Sequence, residues 1–246
     1  MIEPRSSGDD HTALRQGDGA GLPGTGNLPR WQRPLAIVAH PDDESFGLGA
    51  LLDLFVTRGG TPSVLCFTHG EASTLHGVEG DLREIRAEEL AQAAALLGLA
   101  EVELLDEVDG GLRLADAAHL RSAVVEAARR FGADGLVAFD VSGVTGHPDH
   151  IAATEAAVAA GRTLGLPVLG WALPITVAEA LNAEFGAGFA GRTPDELALT
   201  LQVSRDTQRK AVQAHPSQAV PGSVLWRRLE LQGDREHLLW LVPPGS

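Results

Sequence analysis

Pro34-Leu-Ala-Ile-Val-Ala-His-Pro-Asp-Asp-Glu44 runs six apolar residues straight into an imidazole and three carboxylates. A near-continuous apolar run of this length suits a strand covered on both faces in a parallel sheet. The ionisable residues then fall at its carboxyl end. Working outward, Phe46 to Arg58 reads as a helix closed by Gly59-Gly60, and Ser63 to Thr68 as a second strand. His69 to Gly80 is a long polar loop of the kind that often carries function, and Asp81 to Leu97 is a helix ended by Gly98. Glu101 to Leu105 makes a third strand, Asp106 to Leu114 a loop, Ala115 to Phe131 an amphipathic helix, and Gly135 to Phe139 a fourth strand.

Beyond these come a helix from about Asp149 to Gly161 and a strand from Pro167 to Leu173. The C-terminal third is less regular and holds one more strand, Ala198 to Val203, and a helix, Thr207 to Ala214. Strands alternating with helices at this spacing predict a single-domain α/β fold, Rossmann-like and doubly wound, with a mainly parallel sheet of order 3-2-1-4-5. Residues 1–32, rich in Gly, Ser, Asp and Pro without periodicity, are expected to be a flexible tail, leaving 33–246 as the domain.

A second motif, Gly146-His-Pro-Asp-His150, follows the fourth strand. In the expected order, strands one and four are neighbours, and the crevice beyond their carboxyl ends is the switch point where ligands bind. Topology alone therefore brings the two motifs together. A dinucleotide site is disfavoured, because G-x-G-x-x-G should follow the first strand and bulky HPDDE stands there instead.

The residue types point to a metal. His40, Asp43 and His150 supply the His and carboxylate set of a catalytic zinc ion that leaves one position for water. Asp42, not needed as a ligand, is placed to act as general base, and His147 to stabilise an oxyanion or protonate a departing amine, with Asp149 orienting it. These roles add up to hydrolysis of an unactivated amide. Glu44 could support the metal site or the helix N-terminus equally.

Bulk properties narrow the partners. A net charge of -14, with 19 Lys and Arg in 246 residues, excludes a broad basic face for nucleic acid. No segment has the length of a membrane span or a signal-peptide core, so neither membrane insertion nor export is expected. The one cysteine, Cys66, cannot form an internal disulfide and reads as a core residue of a cytoplasmic protein. A small-molecule partner fits best, and a homo-oligomer is compatible with this reading. Of the other histidines, His69 and His76 lie in the long loop within reach of the site, while His11, His119 and His237 read as structural or solvated. Trp31, Trp171, Trp226 and Trp240 divide between core packing and a sugar-stacking platform.

AHPDDE after the first strand together with GHPDH after the fourth resembles the PIG-L (LmbE-like) family of zinc-dependent N-deacetylases, over roughly residues 34 to 220. The resemblance implies removal of acetyl from an N-acetylated amino sugar, often N-acetylglucosamine joined to another group, with metal on His40, Asp43 and His150, Asp42 as base and His147 as the second catalytic residue. Arg86-Ala-Glu-Glu-Leu90 is similar to a family segment whose Arg helps hold substrate, which makes Arg86 the substrate-binding candidate. Lys210 to Gln218, KAVQAHPSQ, is similar to a late family segment and would bring His215 and Gln218 near the mouth of the site. One position departs: members acting in mycothiol biosynthesis carry Tyr where this chain has Thr145. Other readings of the same residues are an amidase of a thiol-sugar conjugate, a non-haem iron oxygenase on a two-histidine, one-carboxylate triad, and a metal- or carbohydrate-binding protein without turnover.

Overall fold

The computed structural model describes residues 27–74 and 79–245. Most of the expected tail, with His11, lies outside the described residues, as does His76. Leu28 and Trp31, counted with that tail, pack on the core: Leu28 is buried and Trp31 stacks on Phe55 with ring centroids 5.9 Å apart. Isolated apolar anchors in a Gly- and Pro-rich stretch carry no periodicity by which to find them.

The first half follows the expected alternation. It runs β1 (Pro34–Val38), α1 (Asp43–Phe46), α2 (Gly49–Thr57), β2 (Ser63–Thr68), α3 (Leu82–Leu97), β3 (Val102–Glu107), α4 (Ala117–Phe131) and β4 (Gly135–Phe139). Then come α5 (Gly143–Gly146), α6 (Pro148–Leu164), β5 (Val168–Pro174), α7 (Ile175–Phe185), β6 (Gly191–Arg192), β7 (Leu199–Gln202), α8 (Asp206–Gln213), α9 (Val224–Gln232) and β8 (Arg235–Val242). Local chemistry sets the helix ends. Asp81 and Asp116 accept backbone N–H bonds at the starts of α3 and α4, and Gly98 and Gly132 end them in the left-handed conformation.

The sheet has the order β3-β2-β1-β4-β5-β8-β7, with β6 beside β5. β1 to β5 are mutually parallel, and β8 adds antiparallel to β5 and β7. The fold is thus the expected doubly wound sheet, extended on one side. Two apolar layers cover its faces: α4 and α6 close one, and α2, α3 and α8 the other. At Gly161 any Cβ would come within 2.4 Å of Val168, so glycine lets α6 settle on β5.

Three differences from the sequence reading have physical causes. The helix expected from Phe46 begins at Asp43 and breaks before Gly49, because the chain must turn beneath the metal-type residues. β8 is hidden in sequence because its inward position Glu236, fully buried, reads as polar. Finally, α7 and α9 lie in the stretch read as irregular; α9 lines one side of the cavity described next, and α7 packs against α9.

Candidate active site

β1 and β4 are adjacent, so His40 and His150 meet at their carboxyl ends. His40 Nδ1 lies 3.2 Å from His150 Nε2, Asp43 Oδ1 lies 3.2 Å from the same His150 nitrogen, and Asp43 Oδ2 lies 3.7 Å from His40 Nδ1. Asp43 is held for this by the backbone N–H groups of Ala39 and His40, which donate to Oδ2 at 3.1 and 3.0 Å. On the far side of each ring the second nitrogen is engaged. His150 Nδ1 donates to the Gly143 carbonyl at 3.1 Å, and His40 Nε2 faces Asp109 at 3.0 Å and Asp149 at 3.5 Å. Outer bonds of this kind fix the tautomer and aim the inner lone pair.

Three inward-facing donors this close repel one another unless something positive lies between them. A tetrahedral zinc ion with bonds of about 2.0–2.1 Å spaces its ligands about 3.3 Å apart, close to the separations found here. Burial opposes charge on His40, yet the carboxylates of Asp109, Asp149 and Asp43 hold its imidazole well above the usual histidine range. Burial likewise works against ionised Asp43, but His150 and His40 hold its carboxyl well below the usual range. The residues present therefore fit a divalent cation. His147 is a further neighbour, its ring centroid 4.9 Å from those of both His40 and His150.

Asp42 sits beside this cluster in a backbone conformation with φ of 126°, one of two positive values among described non-glycine residues, the other being Val144. Such a conformation persists only where its surroundings over-determine it. Here they do: Arg86, almost fully buried, lies 3.1 Å from Asp42 Oδ2 and also donates to the carbonyls of Pro41 and Gly70, while Glu44 Oε2 accepts the Asp42 N–H at 2.9 Å. Burial, opposed by Arg86 and aided by Asp43, pushes the Asp42 carboxyl up to about 6.

Some residues are placed otherwise than the sequence reading has them. Asp149, expected to orient His147, turns its carboxylate to the Gly110 and Leu112 N–H groups, at 2.7 and 3.1 Å, and to His40. Its hydrogen bond to His147 comes from its backbone N–H, which donates to His147 Nδ1 at 3.2 Å, so neutral His147 carries its proton on Nε2, while the Asp149 carboxylate acts on the ring through space and favours its charged form. His215 is not at the mouth; it is fully buried and lies 2.8 Å from Glu44, because a buried carboxylate needs a partner. Gln218 does line the cavity. Arg86 lines it too, with its guanidinium committed to Asp42 and the loop carbonyls. Thr145 is exposed and donates only to the nearby Gly143 carbonyl at 3.4 Å. His69 pairs with Asp106 and His119 with Glu107, away from the cavity lining. Cys66 is a core residue whose thiol burial pushes up.

Asp109 is the residue that sequence reasoning missed. The only available signal was its place in the loop after β3, at the same edge of the sheet as both motifs. Asp109→Asn is expected to weaken zinc binding about 10–100-fold, the usual effect of losing a partner behind a ligand. Competition against a chelating dye measures it, and an unchanged affinity with an unchanged melting temperature would remove Asp109 from that role.

The cluster opens into a cavity of about 530 Å³, a size suited to a small molecule. Of the four tryptophans only Trp171 contributes to its wall. Among the described residues no helix is long and apolar enough to cross a membrane.

A doubly wound sheet with an imidazole and carboxylate cluster at its switch point defines a metal-site α/β protein. Within that class the chain belongs to the PIG-L family, described as GlcNAc-PI de-N-acetylase, which residues 35–161 match. It is 29% identical over 177 residues to a 1D-myo-inositol 2-acetamido-2-deoxy-alpha-D-glucopyranoside deacetylase of Kineococcus radiotolerans, covering 59% of this chain and 49% of that one. The match thus spans about half the length of that relative. Two solved structures share the fold. The N,N'-diacetylchitobiose deacetylase of Pyrococcus horikoshii has a TM-score of 0.64 at 20% identity, covering 87% of this chain and 85% of that one. A 4-carboxy-2-hydroxymuconate hydratase of Pseudomonas putida has a TM-score of 0.65 at 18% identity, covering 87% and 98%. The second likeness makes plain that the sheet alone does not choose the reaction.

Proposed function

We propose that this protein is a zinc-dependent hydrolase that removes the acetyl group from an N-acetylglucosamine-type glycoside or glycoconjugate, in the cytoplasm, with residues 33–246 acting as one deacetylase domain. The observation that carries the reading is that His150 Nε2 lies 3.2 Å from both His40 Nδ1 and Asp43 Oδ1, with Asp42 lining the same cavity. The family match and the amino-sugar deacetylase among its relatives supply the reaction class.

His40, Asp43 and His150 would hold the ion, which when bound lowers the pKa of its water toward about 7 and polarises the amide carbonyl. Asp42 takes the proton from the attacking water, held in place by Arg86 and by the Glu44 contact to its N–H. His147, with its proton on Nε2, donates a hydrogen bond to the developing oxyanion, and Asp42 passes the proton taken from water on to the departing amine. Asp109 and Asp149 keep His40 facing inward. Arg86, its guanidinium paired with Asp42, lines the cavity and is the candidate to orient the sugar. The substrate is a small molecule, and nucleic acid is not a partner.

Metal removal tests this directly. Dialysis against a strong chelator is expected to take acetate release from N-acetylglucosaminyl glycosides to background, and zinc to restore it. Activity that survives at full chelation would refute the metal requirement. Oxygen-dependent turnover supported by iron alone would favour the oxygenase reading instead.

A further inference from the structure

Lys210 to Gln218 covers the end of α8 and the turn after it, and α8 packs against α1, α2 and α3 behind the first motif. Three polar side chains of that turn, His215, Ser217 and Gln218, are carried into the interior, each no more than 4% exposed. Interior polar groups need partners, and theirs come from far along the chain. Ser217 donates to Glu89 through both its N–H and its hydroxyl, at 2.9 and 2.6 Å, and Gln218 donates to the Ser217 hydroxyl at 3.1 Å. His215 Nε2 donates to Glu44 Oε1 at 2.8 Å, while its Nδ1 makes no hydrogen bond among the described residues and faces Glu89 Oε2 at 3.9 Å. Burial opposes charge on this imidazole, but Glu44, helped by Asp42 and Glu89, holds it above the usual histidine range.

Glu44 passes the contact on to the first motif. Its other oxygen, Oε2, accepts the Asp42 N–H at 2.9 Å, at the residue whose φ of 126° its surroundings must hold. Consecutive residues of an extended chain point to opposite faces, yet Asp42 and Asp43 both line the cavity, so the turn at Asp42 decides where its carboxylate goes. His215 itself does not line the cavity and touches no substrate. We propose that His215 is a positioning residue for the hydrolysis: by anchoring Glu44 it holds the Asp42 N–H and keeps the carboxylate of the base aimed into the site. This rests on the reading of Asp42 as base given above. It gives the late motif, which the reaction scheme leaves idle, a task at the back of the first.

His215→Leu removes the donor to Glu44 and leaves an apolar side chain against the Phe46 ring, whose centroid lies 5.9 Å from that of His215. Acetate release from an N-acetylglucosaminyl glycoside by the zinc-loaded variant is expected to fall about 10- to 100-fold in kcat, the factor that a strained backbone conformation corresponds to. KM and zinc content should stay as they are. His215→Gln, which can still donate to Glu44, should recover most of the rate. The comparison that separates aiming from mere packing is made on top of Asp42→Asn. With no base left to aim, adding His215→Leu should keep the residual rate within about twofold, because residues that act as a unit are not additive. Should His215→Leu fail to fold, Glu44→Gln weakens the same anchor and is expected to cost about tenfold alone and nothing further on top of Asp42→Asn. Equal losses with and without Asp42→Asn, or an undiminished kcat in folded His215→Leu, overturns the proposal and leaves Asp42 as base. A full rate in Asp42→Asn alone overturns the base assignment and the proposal with it.

Discussion

Asp42→Asn is expected to lower kcat about 10³-fold, within the range that a positioned general base contributes. Zinc content and melting temperature should stay at their original values, because asparagine has the same shape and tolerates positive φ better than most residues. KM should change little, since the interaction lost belongs to the transition state. The pH profile supplies a second signature. Asp42 must be ionised to accept a proton, so the rate falls as pH drops through its pKa, which stands near 6 without a cation and lower with one beside it. The acid limb of kcat/KM should therefore lie at or below about 6 and vanish in the variant. A variant within a factor of ten of the original enzyme would remove Asp42 as base.

The largest effect on stability is expected far from the chemistry, at Glu236. This carboxylate is fully buried and accepts bonds from Arg205 Nη1 and Trp171 Nε1, both at 2.6 Å. Arg205 in turn holds Gln208, the Gly233 carbonyl and the Arg235 carbonyl. Glu236→Ala strands a buried guanidinium and an indole N–H at once, and breaking one side of such a pair costs about 3–5 kcal/mol. For a chain of this size that corresponds to a fall in melting temperature of about 10 °C. Glu236→Gln should lose less, because it still accepts from Trp171. A loss below about 1 kcal/mol in urea unfolding of the Ala variant would show that the network is dispensable.

Sequence carried the metal-type cluster because topology did the work. Once β1 and β4 are neighbours, residues just past their ends must meet, whatever the rest of the chain does. Partner choice was less legible. That the Asp149 carboxylate bonds toward His40 depends on where the Gly110 and Leu112 N–H groups fall, and those belong to the loop after β3, 39 and 37 residues away in sequence. The same applies to His215 and Glu44, 171 residues apart, which nothing in local composition connects. Glu236 hid β8 because an inward carboxylate breaks the apolar alternation by which strands are recognised. Arg86 carried a motif, yet its contact with Asp42 is a matter of side-chain reach, which spacing cannot supply.

One helix serves two masters. α9 presents Val224, Leu225 and Arg228 to the cavity, and the same Arg228 holds the Phe46 carbonyl at the end of α1, four residues beyond the proposed base. Gln208 grips that turn as well, through the Ser45 and Phe46 carbonyls. Any reshaping of the chamber for a new substrate thus pulls on the turn that carries Asp42. Engineering a broader range by random change in α9 should meet an early ceiling, with gains in fit erased by losses in rate, unless α8 is varied in the same library.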